Sequence, residues 1–201
     1  MQYPDFFNQI ESISLYDPLA ETLGSVEDGI IKFHYSDSVK NAGHSCPTVA
    51  GAYLMTSRAL KALFPDDMPV RGMIKVEFSE SVEDGVAGVI ANVISAITGA
   101  TSKSGFKGLN GNFARHSLLF YNSPVQSSAR FTRTDNDDSV DVFYNPEPVA
   151  ADADLFPLLQ KILHNKATNQ ERKTFGFLWQ DRVKRILIDS ADSVIKLQKP
   201  A

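Results

Sequence analysis

Apolar residues recur every three to four positions in several stretches of the chain, a spacing that predicts amphipathic helices. Residues 5–23 have this spacing up to a break near Asp17-Pro18. A helix is also predicted to begin at Pro47, because proline is tolerated in a first turn, where its missing N–H has no intrahelical partner. Residues 155–164 and 169–188 continue the pattern near the end of the chain. One more helix is predicted from Asp84, a candidate N-cap, to a stop at Thr98-Gly99.

Alternating apolar and polar residues predict a strand over residues 71–78. Residues 117–121, 129–134 and 139–144 are short and strand-like, and Asp135-Asn136-Asp137-Asp138 is typical of a turn between the last two. We expect these three segments to form an antiparallel meander. Residues 30–34 read as a short strand or a helix start, and residues 36–43 as a polar loop.

Strands in the middle of the chain with helices on either side predict an α+β fold rather than the regular alternation of a doubly wound sheet. The expected architecture is a central antiparallel or mixed sheet flanked by helices, with a C-terminal helical extension. We divide the single domain into an N-terminal helical segment (1–29), an α+β core (30–150) and helices packed on that core (151–201). A chain of 201 residues, 43% hydrophobic, buries enough core to need no disulfide or structural metal.

Charge and cysteine content exclude several classes of function. The formal net charge of −4 leaves no basic excess to bind a phosphate backbone, so nucleic acid is not an expected partner. The longest uncharged run, residues 85–102, is diluted by small and polar residues, and we expect no membrane span. The single cysteine, Cys46, rules out an intramolecular disulfide and a four-cysteine zinc site. Without a signal segment at the N-terminus, the expected compartment is the cytoplasm.

The segment His44-Ser45-Cys46-Pro47 is the strongest candidate for chemistry. If Pro47 begins a helix, His44 and Cys46 lie in the loop just before its N-terminus, where the partial positive charge favours thiolate. A thiolate and an imidazole are also usual zinc ligands. The alternative is that Cys46 is a small buried apolar residue and His44 a surface residue.

Motifs along the middle of the chain resemble the FmdE-like domain, named for the E subunit encoded with molybdenum formylmethanofuran dehydrogenase. Gly43-His44-Ser45-Cys46-Pro47 is similar to the family's Gly-His-x-Cys-Pro-Gly start. The resemblance covers roughly residues 30 to 145, with its other motifs in the family's order: Phe33-His34, Val76-Glu77, Asn92 to Thr101, Gly111-Asn112-Phe113 and Phe120-Tyr121-Asn122.

This chain departs from the family's pattern at its thiols. Val89 and Ala100 stand where family members carry cysteine, Asn92 where they carry aspartate, and Thr48 where they carry glycine. The C-terminal cysteine-rich zinc finger of many relatives is also missing. The resemblance therefore implies the histidine and cysteine half of the family site and not its thiol-rich half.

A metal site would need ligands beyond His44 and Cys46. His34, at the family's Phe-His position, and His116, past the glycine-containing loop, are the histidine candidates for a third ligand. The carboxylate alternatives are Glu77, Glu80, Glu83 and Asp84. Zinc is the default ion, and three protein ligands plus water would leave an open position.

The glycine-containing loop 102–112 is a candidate cofactor- or anion-binding segment. Glycines allow close backbone approach, Lys103 and Lys107 supply charge, and Asn112 ends the loop. Arg115 is suited to holding a carboxylate or phosphate nearby. The alternative is a plain flexible loop.

Three functions remain open from the sequence. The first is a metal-binding FmdE-like protein. The second is a non-catalytic module that binds a small molecule or a partner. The third is a metal-free cysteine enzyme with Cys46 as nucleophile and His44 or His116 as base. The C-terminal helices, with Phe175, Phe177 and Trp179, either cover the core or form a homodimer interface.

Overall fold

The computed structural model describes residues 2–200 and confirms an α+β fold. After a 3₁₀ turn at Asp5–Gln9 the elements are β1 (Ile13–Tyr16), α1 (Pro18–Thr22), β2 (Ile30–Phe33), α2 (Tyr35–Ala42), α3 (Pro47–Leu63), β3 (Ile74–Glu77), α4 (Ala87–Thr98), β4 (Leu119–Phe120), β5 (Ala129–Arg133), β6 (Ser139–Tyr144), α5 (Leu155–Leu163), α6 (Asn169–Lys184), α7 (Ala191–Val194) and β7 (Ile195–Gln198). A π-helical turn, Arg185–Asp189, follows α6.

The central sheet is mixed and has the strand order β4-β3-β5-β6-β7. β3 runs parallel to β4 and antiparallel to β5, while β5–β6 and β6–β7 are antiparallel pairs. The predicted meander is therefore only partly correct. β5 and β6 form the expected hairpin, but β4 lies on the far side of β3, because the chain between β3 and β4 crosses back through α4.

The helix α3 lies at the centre of the core. It packs against α4 and β6, and side chains along its length, from Val49 to Leu63, are buried. Such a helix is hydrophobic on most sides, as expected for one covered by other elements. The predicted helix start at Pro47 is confirmed.

The N-terminal segment differs from its prediction. The amphipathic helix expected over residues 5–23 is wrong: β1 pairs antiparallel with β2, with Ile13 opposite Phe33. Ile13 and Leu15 are buried on one face of β1, because their two-residue spacing is that of a strand. A short helix then starts at Pro18, where the Asp17 carboxylate accepts the backbone N–H groups of Leu19 and Ala20.

Other segments also correct the sequence expectations. The loop predicted over residues 36–43 is the helix α2, which begins where Asp37 accepts the His34 backbone N–H and ends at Gly43, whose φ of 76° is left-handed. Helix α4 begins at Ala87, later than predicted, and Asp84 instead accepts the backbone N–H of Ser81. The C-terminal extension is not purely helical, since β7 pairs with β6. Every helix between residues 2 and 200 is too short or insufficiently apolar to traverse a lipid bilayer.

Candidate functional site

Cys46 is the N-cap residue of α3. Its Sγ accepts the backbone N–H of Val49 at 3.4 Å, so the sulfur satisfies one of the free N–H groups of the first helical turn. The residue is 8% exposed and belongs to the hydrophobic core. The sulfur is therefore close to the partial positive charge of the helix start, but it is nearly closed to solvent.

Ser45 is held by side chains from α2 and α6. Its hydroxyl donates to Gln180 Oε1 at 3.0 Å and lies 3.0 Å from the hydroxyl of Tyr35. The indole Nε1 of Trp179 donates to the Ser45 carbonyl oxygen at 2.9 Å. α6 thus covers the loop before α3, and these contacts fix the backbone that carries Cys46.

Tyr144 packs against the first turns of α3. Its hydroxyl donates to the Pro47 carbonyl oxygen at 2.7 Å, and its ring lies against Gly51, where a Cβ atom would collide with it. Burial raises the pKa of both Tyr144 and Tyr35, so these phenols stay neutral near physiological pH. The sequence indicated neither tyrosine nor Gln180 as part of this region. The contacts of Tyr144 and Gln180 join parts of the chain that lie 97 and 135 residues apart.

Within residues 2–200, no hydrogen bond joins a histidine ring to the cysteine sulfur. His44 is exposed, and its Nδ1 lies 2.9 Å from the Ala42 carbonyl oxygen. His34 is exposed at the start of α2. His116 follows the glycine-containing loop and lies 3.0 Å from the Ser117 hydroxyl.

The predicted metal ligands do not form a ligating group. No set of three or more histidine, cysteine, aspartate or glutamate side chains suited to a metal ion occurs in the described part of the chain. The structure therefore does not bring His44, Cys46, His34 and His116 together. Of the carboxylate alternatives, Glu77 is paired with Lys75 at 3.0 Å and Glu80 lines a cavity beside the start of α3.

A cavity of about 420 Å³, here called the α3 cavity, lies beside the first turn of α3. Its walls come from the start of α3, the segment after β3, the first half of α4, the segment before β5 and the end of β6. The lining residues are Pro47, Thr48, Ser79, Glu80, Val86, Ile90, Gln126, Ser127, Ser128, Phe143, Tyr144 and Pro146. Cys46 is the residue immediately before this wall and is not itself part of the lining.

The candidate anion-binding residues separate into two groups. Lys103 and Lys107 are exposed on their loop, and Lys107 Nζ donates to the Lys103 carbonyl oxygen at 2.7 Å. Arg115 is instead buried against Asp17, and together with Asn112 it lines a second, smaller cavity. Arg115 follows this loop closely in the chain, and nothing in the sequence indicated its carboxylate partner, Asp17, 98 residues away.

The chain matches no protein-family model and no curated protein.

Proposed function

We propose that this chain is an FmdE-like small-molecule-binding module whose ligand occupies the α3 cavity. The observation that carries the proposal is the cavity itself, about 420 Å³ in volume and bordered by the segment that resembles the family's Gly-His-x-Cys-Pro motif. Small-molecule sites are typically clefts of about 300–1,000 Å³ with apolar walls and a few polar groups. The α3 cavity fits that description in volume, and six of its twelve lining residues are apolar or aromatic.

The lining suggests the chemistry of the ligand. Val86, Ile90 and Phe143 offer apolar surface, whereas Thr48, Ser79 and Gln126 offer hydroxyl and amide groups, and Glu80 offers a carboxylate. A carboxylate accepts hydrogen bonds only, so it favours ligand groups that donate. We therefore expect a compact molecule with an apolar body and hydroxyl or amine donors.

The departures from the FmdE-like pattern support binding over thiol chemistry. Val89 and Ala100 carry no sulfur, so neither position offers a second thiol to Cys46. The cysteine-enzyme alternative lacks a base hydrogen-bonded to Cys46 within residues 2–200. The metal alternative lacks a third ligand in the same range.

A homodimer remains part of the proposal. Phe156, Leu163 and Phe177 on α5 and α6 are each more than 60% exposed. Large exposed apolar side chains in one region are typical of protein interfaces. Light scattering after size-exclusion chromatography would distinguish a dimer from a monomer, and Phe177→Glu should dissociate a dimer formed through this face.

The binding proposal is tested with a pair of matched tryptophan variants. Val86→Trp places a large ring at the wall of the α3 cavity, whereas Val82→Trp adds the same ring at an exposed position outside it. A set of small hydroxyl- and amine-containing compounds is screened by thermal shift and ligand-observed NMR. We expect a wild-type ligand whose affinity falls at least about tenfold in Val86→Trp and is retained in Val82→Trp. A ligand that binds both variants alike, or no ligand in the set, contradicts the proposal.

A further inference from the structure

Two arginines share one buried carboxylate at the opposite end of β3 and α4 from the α3 cavity. Asp17 Oδ2 lies 3.0 Å from Arg71 Nη1, and Asp17 Oδ1 lies 2.6 Å from Arg115 Nη2. The Asp17 and Arg115 side chains are only 4% and 7% exposed, and that of Arg71 is 23% exposed. Two positive charges against one negative charge leave the cluster with an excess of one positive charge.

The guanidinium of Arg115 is only partly satisfied. Its Nη1 is buried and has no hydrogen-bond partner among residues 2–200. A buried donor without an acceptor costs free energy, and more so when it is charged, so such a group calls for an explanation. Nothing in the described fold supplies the missing acceptor.

Two glycines make room for this guanidinium. Gly72, with φ of 87°, lies so close that a Cβ atom there would collide with Arg115 Nη1. A Cβ on Gly99, with φ of 76°, would lie 3.1 Å from the same nitrogen. Glycine adopts positive φ values without steric cost, and at both positions it leaves the space that Nη1 occupies.

Beside this group lies a cavity of about 220 Å³, here called the Arg115 cavity. Arg71, Arg115 and Asn112 line its polar side, and Pro18, Met73 and Phe113 contribute apolar surface. Gly72, the neighbour of Nη1, lines the same cavity. Its volume is several times the ~30 Å³ that one water occupies in the liquid, so it has room for more than a single solvent molecule.

We propose that the Arg115 cavity binds the carboxylate group of a small organic acid. In the complex a small shift of the Arg115 guanidinium exposes Nη1 to the cavity, where it donates to one carboxylate oxygen. Asn112 supplies an amide donor at the same wall, and the carbon chain packs on Met73 and Phe113. A single carboxylate balances the one excess positive charge, whereas a phosphate dianion exceeds it. Burial lowers the pKa of Arg115, and a bound anion favours its charged form.

Binding of propionate tests the proposal, with chloride as the matched salt at constant ionic strength. Titration is followed by the amide ¹H–¹⁵N shifts of Gly72 and Gly99 and by calorimetry. We expect saturable binding with propionate and none with chloride. Inorganic phosphate forms the second arm, because it shares the oxyanion chemistry, and phosphate binding tighter than propionate overturns the carboxylate assignment.

Two variants separate a ligand site from a structural ion pair. Arg115→Lys keeps a positive charge near Asp17 but lacks the second guanidinium nitrogen, and we expect at least about a tenfold loss of propionate affinity. Ala114→Leu fills the cavity wall without removing an ion-pairing group, so it tests the site even if Arg115→Lys folds poorly. Val82→Trp, at an exposed position outside this cavity, should bind propionate as the wild type does. The proposal is overturned if propionate causes no saturable shift, or if Ala114→Leu binds it as tightly as the wild type does. In either case a buried water would be the acceptor for Nη1.

Discussion

The indole nitrogen of Trp179 donates a hydrogen bond of 2.9 Å to the carbonyl oxygen of Ser45, across 134 positions of sequence. This hydrogen bond holds α6 against the loop that carries Cys46. Gln180 on the same helix adds hydrogen bonds to the Ser45 hydroxyl and carbonyl group. The C-terminal helices therefore belong structurally to the candidate site, although the family resemblance ends near residue 145.

Replacing Trp179 by Phe should weaken the attachment of α6 to the loop before α3. The change removes the donor to Ser45 and keeps an aromatic ring, so we expect a loss of about 1 kcal/mol in the free energy of unfolding, measured in urea. Phe177→Leu is the control on the same helix, because Phe177 is 72% exposed and its replacement should cost less than about 0.5 kcal/mol. Equal effects of the two changes would show that the Ser45 contact contributes no stability.

Alanine substitutions at two helical glycines should change the stability of the protein in opposite directions. Gly51→Ala brings a Cβ into the ring of Tyr144, and overpacking of this kind costs about 1–3 kcal/mol. Gly176→Ala in α6 meets nothing within 4 Å, so the helix preference for alanine should raise stability by up to about 1 kcal/mol. Urea unfolding measures both. A stabilising Gly51→Ala would mean that the Tyr144 ring does not lie over α3.

The cluster of Asp17, Arg71 and Arg115 should make the free energy of unfolding depend on pH in the acidic range. Burial raises the pKa of Asp17, but the Ala20 backbone N–H and the guanidinium groups of Arg71 and Arg115 together hold it below its ordinary value. Because the folded pKa is lower than the unfolded one, the contribution of Asp17 is present at neutral pH and is lost as pH falls below about 4.

Unfolding at pH 7, pH 5 and pH 3 checks this dependence. Asp17→Asn leaves two arginines without their carboxylate and should cost about 3–5 kcal/mol at pH 7. The variant should also lose less stability than the wild type between pH 5 and pH 3. Asp66→Asn, which removes an exposed carboxylate, is the control for the change in net charge. A variant with the wild-type loss on acidification would exclude Asp17 as the titrating group.

Cys46 should react slowly with thiol reagents in the folded protein. Its sulfur is buried and accepts the Val49 N–H, so labelling requires local opening of the fold. We expect a labelling rate at least about tenfold below that of the urea-unfolded chain.

Zinc content is measured in the wild type and in Cys46→Ala. Under the binding proposal the two should agree, whereas a stoichiometry near one that is lost in Cys46→Ala would support the metal site instead.

The candidate site was only partly accessible to sequence reasoning. The order of residues in Gly43 to Pro47 was enough to predict that Cys46 precedes a helix, because proline and glycine restrict the backbone locally. The direction of the sulfur was not predictable in the same way. The direction depends on the α3 backbone that the sulfur caps and on the position of α6 over the preceding loop. Both are set by tertiary packing.

Local sequence patterns were enough to predict the α+β class, the helix after Pro47, the β5–β6 hairpin and the stop of α4 at Gly99. These features follow from local periodicity and from residues that restrict φ. Tertiary structure alone decided that β4 pairs with β3, that Trp179 reaches Ser45 and that Asp17 lies between Arg71 and Arg115. Such contacts join residues far apart in the chain. Their partners are selected by burial and by the satisfaction of charge and hydrogen bonds, which exist only once the core has formed.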